Sequence, residues 1–252
     1  MINLSFRKRL LNFEKLIGTV ITLRDPAVAE IMADAGFDWL WIDMEHSQLT
    51  PLDAEAMSRA AGSRAACLAR VPEISETWVK KTLDSGLDGV IFPMILSAEQ
   101  AQFAVSLCRY PPLGQRGAGV GRAHGYGPRF TSYNASANQE VSIVLQIEHI
   151  QAVERIDAIL AVPGVDAIMV GPYDLSNSLG RPGKMDDPQV QAAIQSTLDT
   201  CKEKKIPIGI FCGTPMLARQ ALERGFTLIG ISTDTLLLCD IARSTRLAAE
   251  QD

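Results

Sequence analysis

Four stretches of the chain share one rhythm: a helical pattern closes on glycine, a hydrophobic run follows, and polar or turn-forming residues stand at its far end. They are Gly36-Phe37-Asp38-Trp39-Leu40-Trp41-Ile42-Asp43, Gly86-Leu87-Asp88-Gly89-Val90-Ile91-Phe92-Pro93, Gly164-Val165-Asp166-Ala167-Ile168-Met169-Val170-Gly171 and Gly225-Phe226-Thr227-Leu228-Ile229-Gly230-Ile231-Ser232. Glycine suits the residue just past a helix, where the backbone turns left-handed. Each run is apolar enough for a strand buried on both faces, as in parallel sheets covered by helices. Three of the four end near carboxylates: Asp43 and Glu45 beside His46, then Asp174, then Asp234. Barrels of parallel strands carry their chemistry at the strands' carboxyl ends. The pattern therefore locates a candidate site before any residue has a role.

Strand-like runs recur at 16–23, 38–43, 65–71, 88–93, 141–148, 166–170, 207–211 and 227–232. Helical patterns lie between and after them at 27–35, 52–61, 75–84, 98–109, 150–160, 188–204, 216–223 and 235–248. Strict alternation of this kind predicts a (β/α)₈ barrel, one domain over residues 1–252. The alternative, an open doubly wound sheet, lacks a G-x-G-x-x-G turn after the first strand. One segment, 110–139, breaks the rhythm with Pro111-Pro112, six glycines, and Arg116, Arg122, His124, Tyr126 and Arg129. Long loops in compact domains tend to be functional, so it reads as a lid or rim of the active site, with a flexible surface loop as the alternative.

Composition narrows the class. A chain of 252 residues, 47% hydrophobic and 21% charged, can bury one large core. The net charge of −5 leaves no basic stripe for nucleic acid. The cluster Arg7-Lys8-Arg9 reads as the solvated side of an amphipathic first helix. No apolar run approaches the roughly 18–20 residues of a membrane span, and no apolar signal-peptide core opens the chain. The five cysteines form no C-x-x-C pair, which argues against zinc and disulfides; Cys67 and Cys212 fall in expected strands as small buried hydrophobes. A reduced, cytoplasmic enzyme is the expectation.

The strand ends supply the candidate chemistry. The second delivers Asp43, Glu45 and His46, the third Arg70, and the fifth Gln146 and Glu148 on one face, because side chains alternate. The sixth leads into Gly171-Pro172-Tyr173-Asp174 and the eighth into Ser232 and Asp234. Two carboxylates without cysteine partners suit a hard divalent cation with positions left for water or substrate. Arg70 can hold a carboxylate by two parallel hydrogen bonds, and the helical turn after Gly171 favours an anion. Together they describe a site for a small, anionic, chelating molecule such as a 2-oxo acid. None of the eight lysines stands at a strand end, where a Schiff base would need one. Carbanion chemistry here would use a metal.

At these residues the chain resembles the HpcH/HpaI aldolases, metal-dependent pyruvate aldolases of the phosphoenolpyruvate/pyruvate barrel superfamily. The resemblance rests on Ala35-Gly36-Phe37-Asp38-Trp39-Leu40-Trp41-Ile42-Asp43-Met44-Glu45-His46, Arg109-Tyr110-Pro111-Pro112-Leu113-Gly114-Gln115-Arg116-Gly117, Gln146-Ile147-Glu148 and Val170-Gly171-Pro172-Tyr173-Asp174-Leu175-Ser176, and spans about residues 18–247. It implies reversible cleavage of a 4-hydroxy-2-oxo acid to pyruvate and an aldehyde through a metal-stabilised enolate, with Mg²⁺, Mn²⁺ or Co²⁺. It further implies Glu148 and Asp174 as metal ligands. Arg70 and Gln146 would hold pyruvate, and the backbone around Gly171, Pro172 and Tyr173 its carboxylate. His46 with Asp43 would form the acid–base dyad. Asp84 would reach a neighbouring subunit's site, and the C-terminal helix would be exchanged within a hexamer built as a trimer of dimers. The glycine-rich segment between Gly117 and Phe130 departs from the family's usual Ala-Arg-Ala pattern, so the aldehyde is not implied.

Other residues have plainer readings. Glu45 would hold a water or Arg70; His149, on the opposite face from Glu148, reads as structural; Asp234 reads as a cap of the last helix. His124 divides evenly between a rim contact and solvent. Competing functions are a 2-oxo-acid decarboxylase or acyl-CoA ester lyase on the same site, and a non-catalytic barrel that binds a small acid.

Overall fold

A computed structural model describes residues 5–250. Its strands are β1 (Leu16–Ile21), β2 (Trp39–Asp43), β3 (Ala66–Arg70), β4 (Gly89–Phe92), β5 (Ser142–Ile147), β6 (Ala167–Val170), β7 (Ile208–Cys212) and β8 (Leu228–Thr233). The helices are α1 (Phe6–Leu11), α2 (Pro26–Asp34), α3 (Pro51–Ala61), α4 (Glu76–Asp84), α5 (Ala98–Cys108) and α6 (Phe130–Glu140). They continue with α7 (Ile150–Glu154), α8 (Ile156–Leu160), α9 (Pro172–Ser178), α10 (Pro188–Glu203), α11 (Pro215–Arg224) and α12 (Asp234–Ala248). The strands are all parallel and close in sequence order, β1 pairing with both β2 and β8. This is the expected (β/α)₈ barrel.

Alternation along the strands sorts the core in two. Val20, Trp39, Trp41, Leu68, Ile91, Val144 and Met169 fill the barrel's interior, while Leu40, Ile42, Cys67, Ala69, Ile143, Leu145 and Ile168 face the helices. α1 closes the base: Phe6 and Leu10 are buried with the interior set, and the Phe6 ring lies 6.3 Å from Trp39. Gly18 makes room for that indole, since a Cβ there would stand 2.5 Å from Trp39 side-chain atoms. Burial pushes the Cys67 and Cys212 thiols up, Cys212 to about 11, so both serve as packing groups.

The repeated Gly-x-Asp does structural work at the base. Asp38 accepts the Ile17 amide (3.0 Å), Asp88 the Cys67 amide (2.8 Å) and Asp166 the Ile143 amide (2.9 Å). Each clasps an even-numbered strand to the preceding odd one. Arg9 binds Asp38, and Arg7 and Arg109 bind Asp166. The fourth repeat carries Thr227 at this place.

Several expectations shift. β1 stops at Ile21 because the next two amides, of Thr22 and Leu23, both donate to the Asp234 carboxylate at 2.8 Å. Asp234 is therefore a buried strap between β1 and α12; the cap is Thr233, whose hydroxyl accepts the Leu236 amide. The expected helix at 150–160 breaks at Arg155 into α7 and α8.

The segment 110–139 is not a loop throughout and does not cover the mouth. A 3₁₀ turn, Arg122–His124, and most of α6 occupy it. It joins a helix to the following strand, so topology puts it at the base, opposite the carboxyl ends. Its contacts agree: Arg122 donates to the Ser85 carbonyl (2.7 Å), Arg116 pairs with Asp84 (2.8 Å), and Arg7 donates to the Gln139 carbonyl (3.0 Å). His124 is neither at a rim nor in solvent. It is fully buried beside Phe130 and Tyr133, with Nε2 between the Tyr110 hydroxyl (3.3 Å) and Asn134 (3.2 Å).

α12 leaves the barrel, and every residue from Leu238 to Glu250 is exposed. Among the described residues, no helix is long and apolar enough to cross a membrane.

Candidate active site

A cavity of about 310 Å³ opens at the strands' carboxyl ends. Of the residues expected there, Asp43, His46, Arg70, Gln146, Glu148, Gly171, Pro172, Tyr173 and Asp174 line it. Asp84 does not. It ends α4 at the base, paired with the buried Arg116, whose guanidinium lies 4.6 Å from the Tyr110 ring. Five lining residues were not singled out from the sequence: Val20, Thr22, Trp41, Phe211 and Thr233. Val20 and Trp41 had a signal, the inward phase of their strands, but it reads equally as core.

Arg70 and Asp43 face each other across β2 and β3, where they are register partners. Nε donates to Oδ1 at 2.9 Å and NH2 to Oδ2 at 2.8 Å. Asp43 also accepts the amides of Glu45 (3.0 Å) and His46 (3.3 Å). Burial opposes its charge, but Arg70 and the two amides hold its carboxyl below the ordinary range. This corrects two expectations. The two-armed grip of Arg70 is engaged by Asp43, so it cannot also clamp a substrate carboxylate with the same edge. NH1 remains, 3.1 Å from Glu45 and 3.5 Å from Gln146.

The second correction concerns the dyad. Asp43 meets His46 only through the His46 backbone amide. The imidazole Nε2 instead lies 3.7 Å from Glu45 Oε2, and the ring is largely exposed at the rim. Glu45 thus stands between Arg70 and His46, which fits its expected hold on Arg70. Burial raises the Glu45 carboxyl against the pull of Arg70 and His46.

Glu148 is a buried carboxylate of the cavity. Its Oε1 accepts the Met94 amide at 2.8 Å and its Oε2 accepts Gln146 Nε2 at 2.7 Å. Met94 makes that bond with a left-handed backbone (φ 50°), unusual for a residue with a side chain. Burial pushes the Glu148 carboxyl up to about 7, with Met94 and Arg70 opposing and Glu45 and Asp174 adding to it. Glycine at 171 leaves the carboxylate its place, because a Cβ there would stand 2.6 Å from Oε2.

α9 begins directly after β6. Gly171 donates to the Ile147 carbonyl (3.4 Å) and Pro172 has no N–H, so the first-turn amides of Tyr173 and Asp174 are the ones without helical acceptors. Asp174 lies in that turn, partly exposed to the cavity. His149, just beyond Glu148, caps α7 by accepting the Gln151 amide at 3.1 Å.

The donor set fits a divalent cation. Asp174 adds to the raised proton affinity of both Glu45 and Glu148, Glu45 adds to that of Glu148, and Arg70 is the one arginine or lysine lining the cavity. Among the described residues, no three His, Cys, Asp or Glu side chains converge into a closed metal cage. Two oxygen ligands in an open cleft suit a hard ion that also coordinates water or substrate.

Known proteins resemble this chain over nearly its whole length. The family model described as HpcH/HpaI aldolase/citrate lyase matches residues 17–240. A hydroxypyruvate/pyruvate aldolase of Roseobacter denitrificans is 37% identical over 247 residues, covering 95% of this chain and 94% of its own. A 2-dehydro-3,6-dideoxy-6-sulfogluconate aldolase of Pseudomonas putida is 38% identical over 234 residues, covering 92% and 91%. The crystal structure of an HpcH/HpaI aldolase/citrate lyase family protein from Burkholderia cenocepacia superposes with a TM-score of 0.94 at 36% identity, covering 97% and 98%.

Proposed function

The chain belongs to the HpcH/HpaI aldolase/citrate lyase family, and on that premise we propose that it cleaves a 4-hydroxy-2-oxo acid reversibly to pyruvate and an aldehyde. Its curated relatives named above are aldolases, and it is a carbon–carbon lyase of that kind. The observation that carries the reading is the meeting of Arg70, Glu148 and Asp174 in one cavity.

Glu148 and Asp174 would hold a divalent cation such as Mg²⁺, Mn²⁺ or Co²⁺, which supplies Lewis-acid stabilisation as charge develops on the 2-oxo oxygen. The amides of Tyr173 and Asp174 receive the substrate carboxylate. Arg70 directs NH1 at the 2-oxo oxygen while Asp43 fixes the guanidinium plane. Gln146, by donating to Glu148, orients that carboxylate. His46 takes the 4-hydroxyl proton, with Glu45 behind it. The C3–C4 bond then breaks, its electron pair passes into the pyruvate enolate, and C3 is finally protonated.

Assay of pyruvate release from a panel of 4-hydroxy-2-oxo acids tests the proposal. Dialysis against chelator should abolish turnover, and Mg²⁺, Mn²⁺ or Co²⁺ should restore it. Borohydride trapping of a substrate adduct on a lysine would overturn it.

The same reading makes the protein a homo-oligomer, a hexamer arranged as a trimer of dimers. The exposed Leu236, Leu238 and Ile241 of α12 support it, as an apolar face this barrel does not cover. In such an assembly Asp84, distant from its own mouth, would serve a neighbour's.

A further inference from the structure

We infer that the acceptor is an uncharged aldehyde, received by the arc of the cavity formed by β7, β8, β1 and β2. The inference rests on the aldolase reading above and concerns the half of the substrate that reading leaves open. The groups assigned to pyruvate stand on the other arc: Arg70 on β3, Gln146 and Glu148 at β5, and the turn after β6. An aldehyde carbon approaching C3 of pyruvate must therefore lean toward Phe211, Thr233, Val20, Thr22 and Trp41.

That arc carries no arginine or lysine, and His46, just beyond β2, has its ring 3.7 Å from Glu45. Both threonine hydroxyls have partners already, Thr22 donating to Asp234 (2.7 Å) and Thr233 meeting Thr235 (2.8 Å) and the Leu236 amide (3.1 Å). The charge behind the wall is the buried carboxylate of Asp234. Arg24, the nearest arginine along β1's exit, binds Asp53 at 2.7 Å and does not line the cavity. The Trp41 indole lines the arc as a neutral ring, with the Arg70 guanidinium 5.1 Å from its centroid. Asp43 and Glu45, at the end of β2, share the single charge of Arg70, Glu148 and Asp174 are matched by the cation assigned to them, and pyruvate adds a further negative charge. An aldehyde with a carboxylate or phosphate tail would meet like charge on one side and apolar wall on the other. Addition joins C3 of pyruvate to the aldehyde carbon; the proton lost from C3 is matched by the one gained at the new hydroxyl.

The test is synthesis from pyruvate with propanal or glycolaldehyde against glyoxylate or succinic semialdehyde. The neutral acceptors should exceed the anionic ones by at least about tenfold in kcat/KM, the scale of a like-charge penalty. Phe211→Arg, which places a cation on the wall, should narrow that ratio. Equal or better use of the anionic acceptors by the unaltered enzyme would overturn the inference whatever the variant does. Deuterium exchange at C3 of pyruvate, run alongside, reads the pyruvate half alone. Its absence would sink the aldolase reading itself, whereas exchange with anionic preference would sink only this one.

Discussion

Arg70 grips Asp43 with two nitrogens along one edge of its guanidinium, at 2.9 and 2.8 Å, and both groups lie below the surface of the mouth. Each leaves the other charged and buried if removed. Asp43→Ala should therefore destabilise the fold by about 3–5 kcal/mol, the range for breaking a buried pair. Urea unfolding would measure it; a change below 1 kcal/mol (about the worth of a surface pair) would show that water replaces the aspartate.

Arg70→Lys keeps the charge and loses the planar grip. With NH1 assigned to the 2-oxo oxygen, kcat should fall as well as KM rise. Loss of a charge-assisted contact of about 1.5–3 kcal/mol corresponds to roughly ten- to a hundred-fold in kcat/KM. Steady-state kinetics decides: a rise in KM alone would make Arg70 a clamp without a role in the transition state.

Burial raises the Glu148 carboxyl from 4.5 to about 7 in the metal-free chain. The folded state then holds a proton that the unfolded chain releases first. Its stabilising contribution is present below the unfolded value and is lost as pH rises through about 7. Asp43, held low, acts in the opposite sense and only at more acid pH. Chelator-treated protein should lose on the order of 3 kcal/mol between pH 5 and pH 8 from this group, and Mn²⁺ should restore it at pH 8. Calorimetry at both pH values, with and without Mn²⁺, gives the answer; identical profiles would remove Glu148 from the metal site.

Gly171→Ala is compatible with its backbone (φ −101°) but puts a methyl 2.6 Å from Glu148 Oε2. The carboxylate must rotate, and Mn²⁺ affinity should drop about 10–100-fold, the usual effect of disturbing a ligand's support. Titration followed by Mn²⁺ electron paramagnetic resonance reads this directly. Unchanged affinity would mean that the cation binds elsewhere.

Light scattering at micromolar concentration should find a species larger than a dimer. Leu238→Glu together with Ile241→Glu, on the exposed face of α12, should yield smaller species with the barrel's circular dichroism intact. A monomeric native protein would count against both the exchanged helix and the shared role of Asp84.

The barrel was legible because its signals are local and repeated: in four stretches glycine closes a helix, an apolar run follows and polar residues end it, and strand-like and helical patterns alternate along the rest. The same alternation placed Gln146 and Glu148 on one face, and the strand ends named most of the residues that line the cavity. Pairing among them was not legible, since it depends on register between strands distant in sequence. β2 and β3 happen to set Asp43 opposite Arg70, which engages the arginine's grip and leaves His46 to Glu45. The aspartate of each Gly-x-Asp looked like part of a strand; only the closed barrel shows it reaching across to the preceding strand's amide. The segment 110–139 looked like a lid because composition marks mobility and function but carries no direction. Its place was decided by connectivity, since a chain that leaves a helix for the next strand must cross the base, and there the Asp84–Arg116 pair and the packing around His124 fix these side chains.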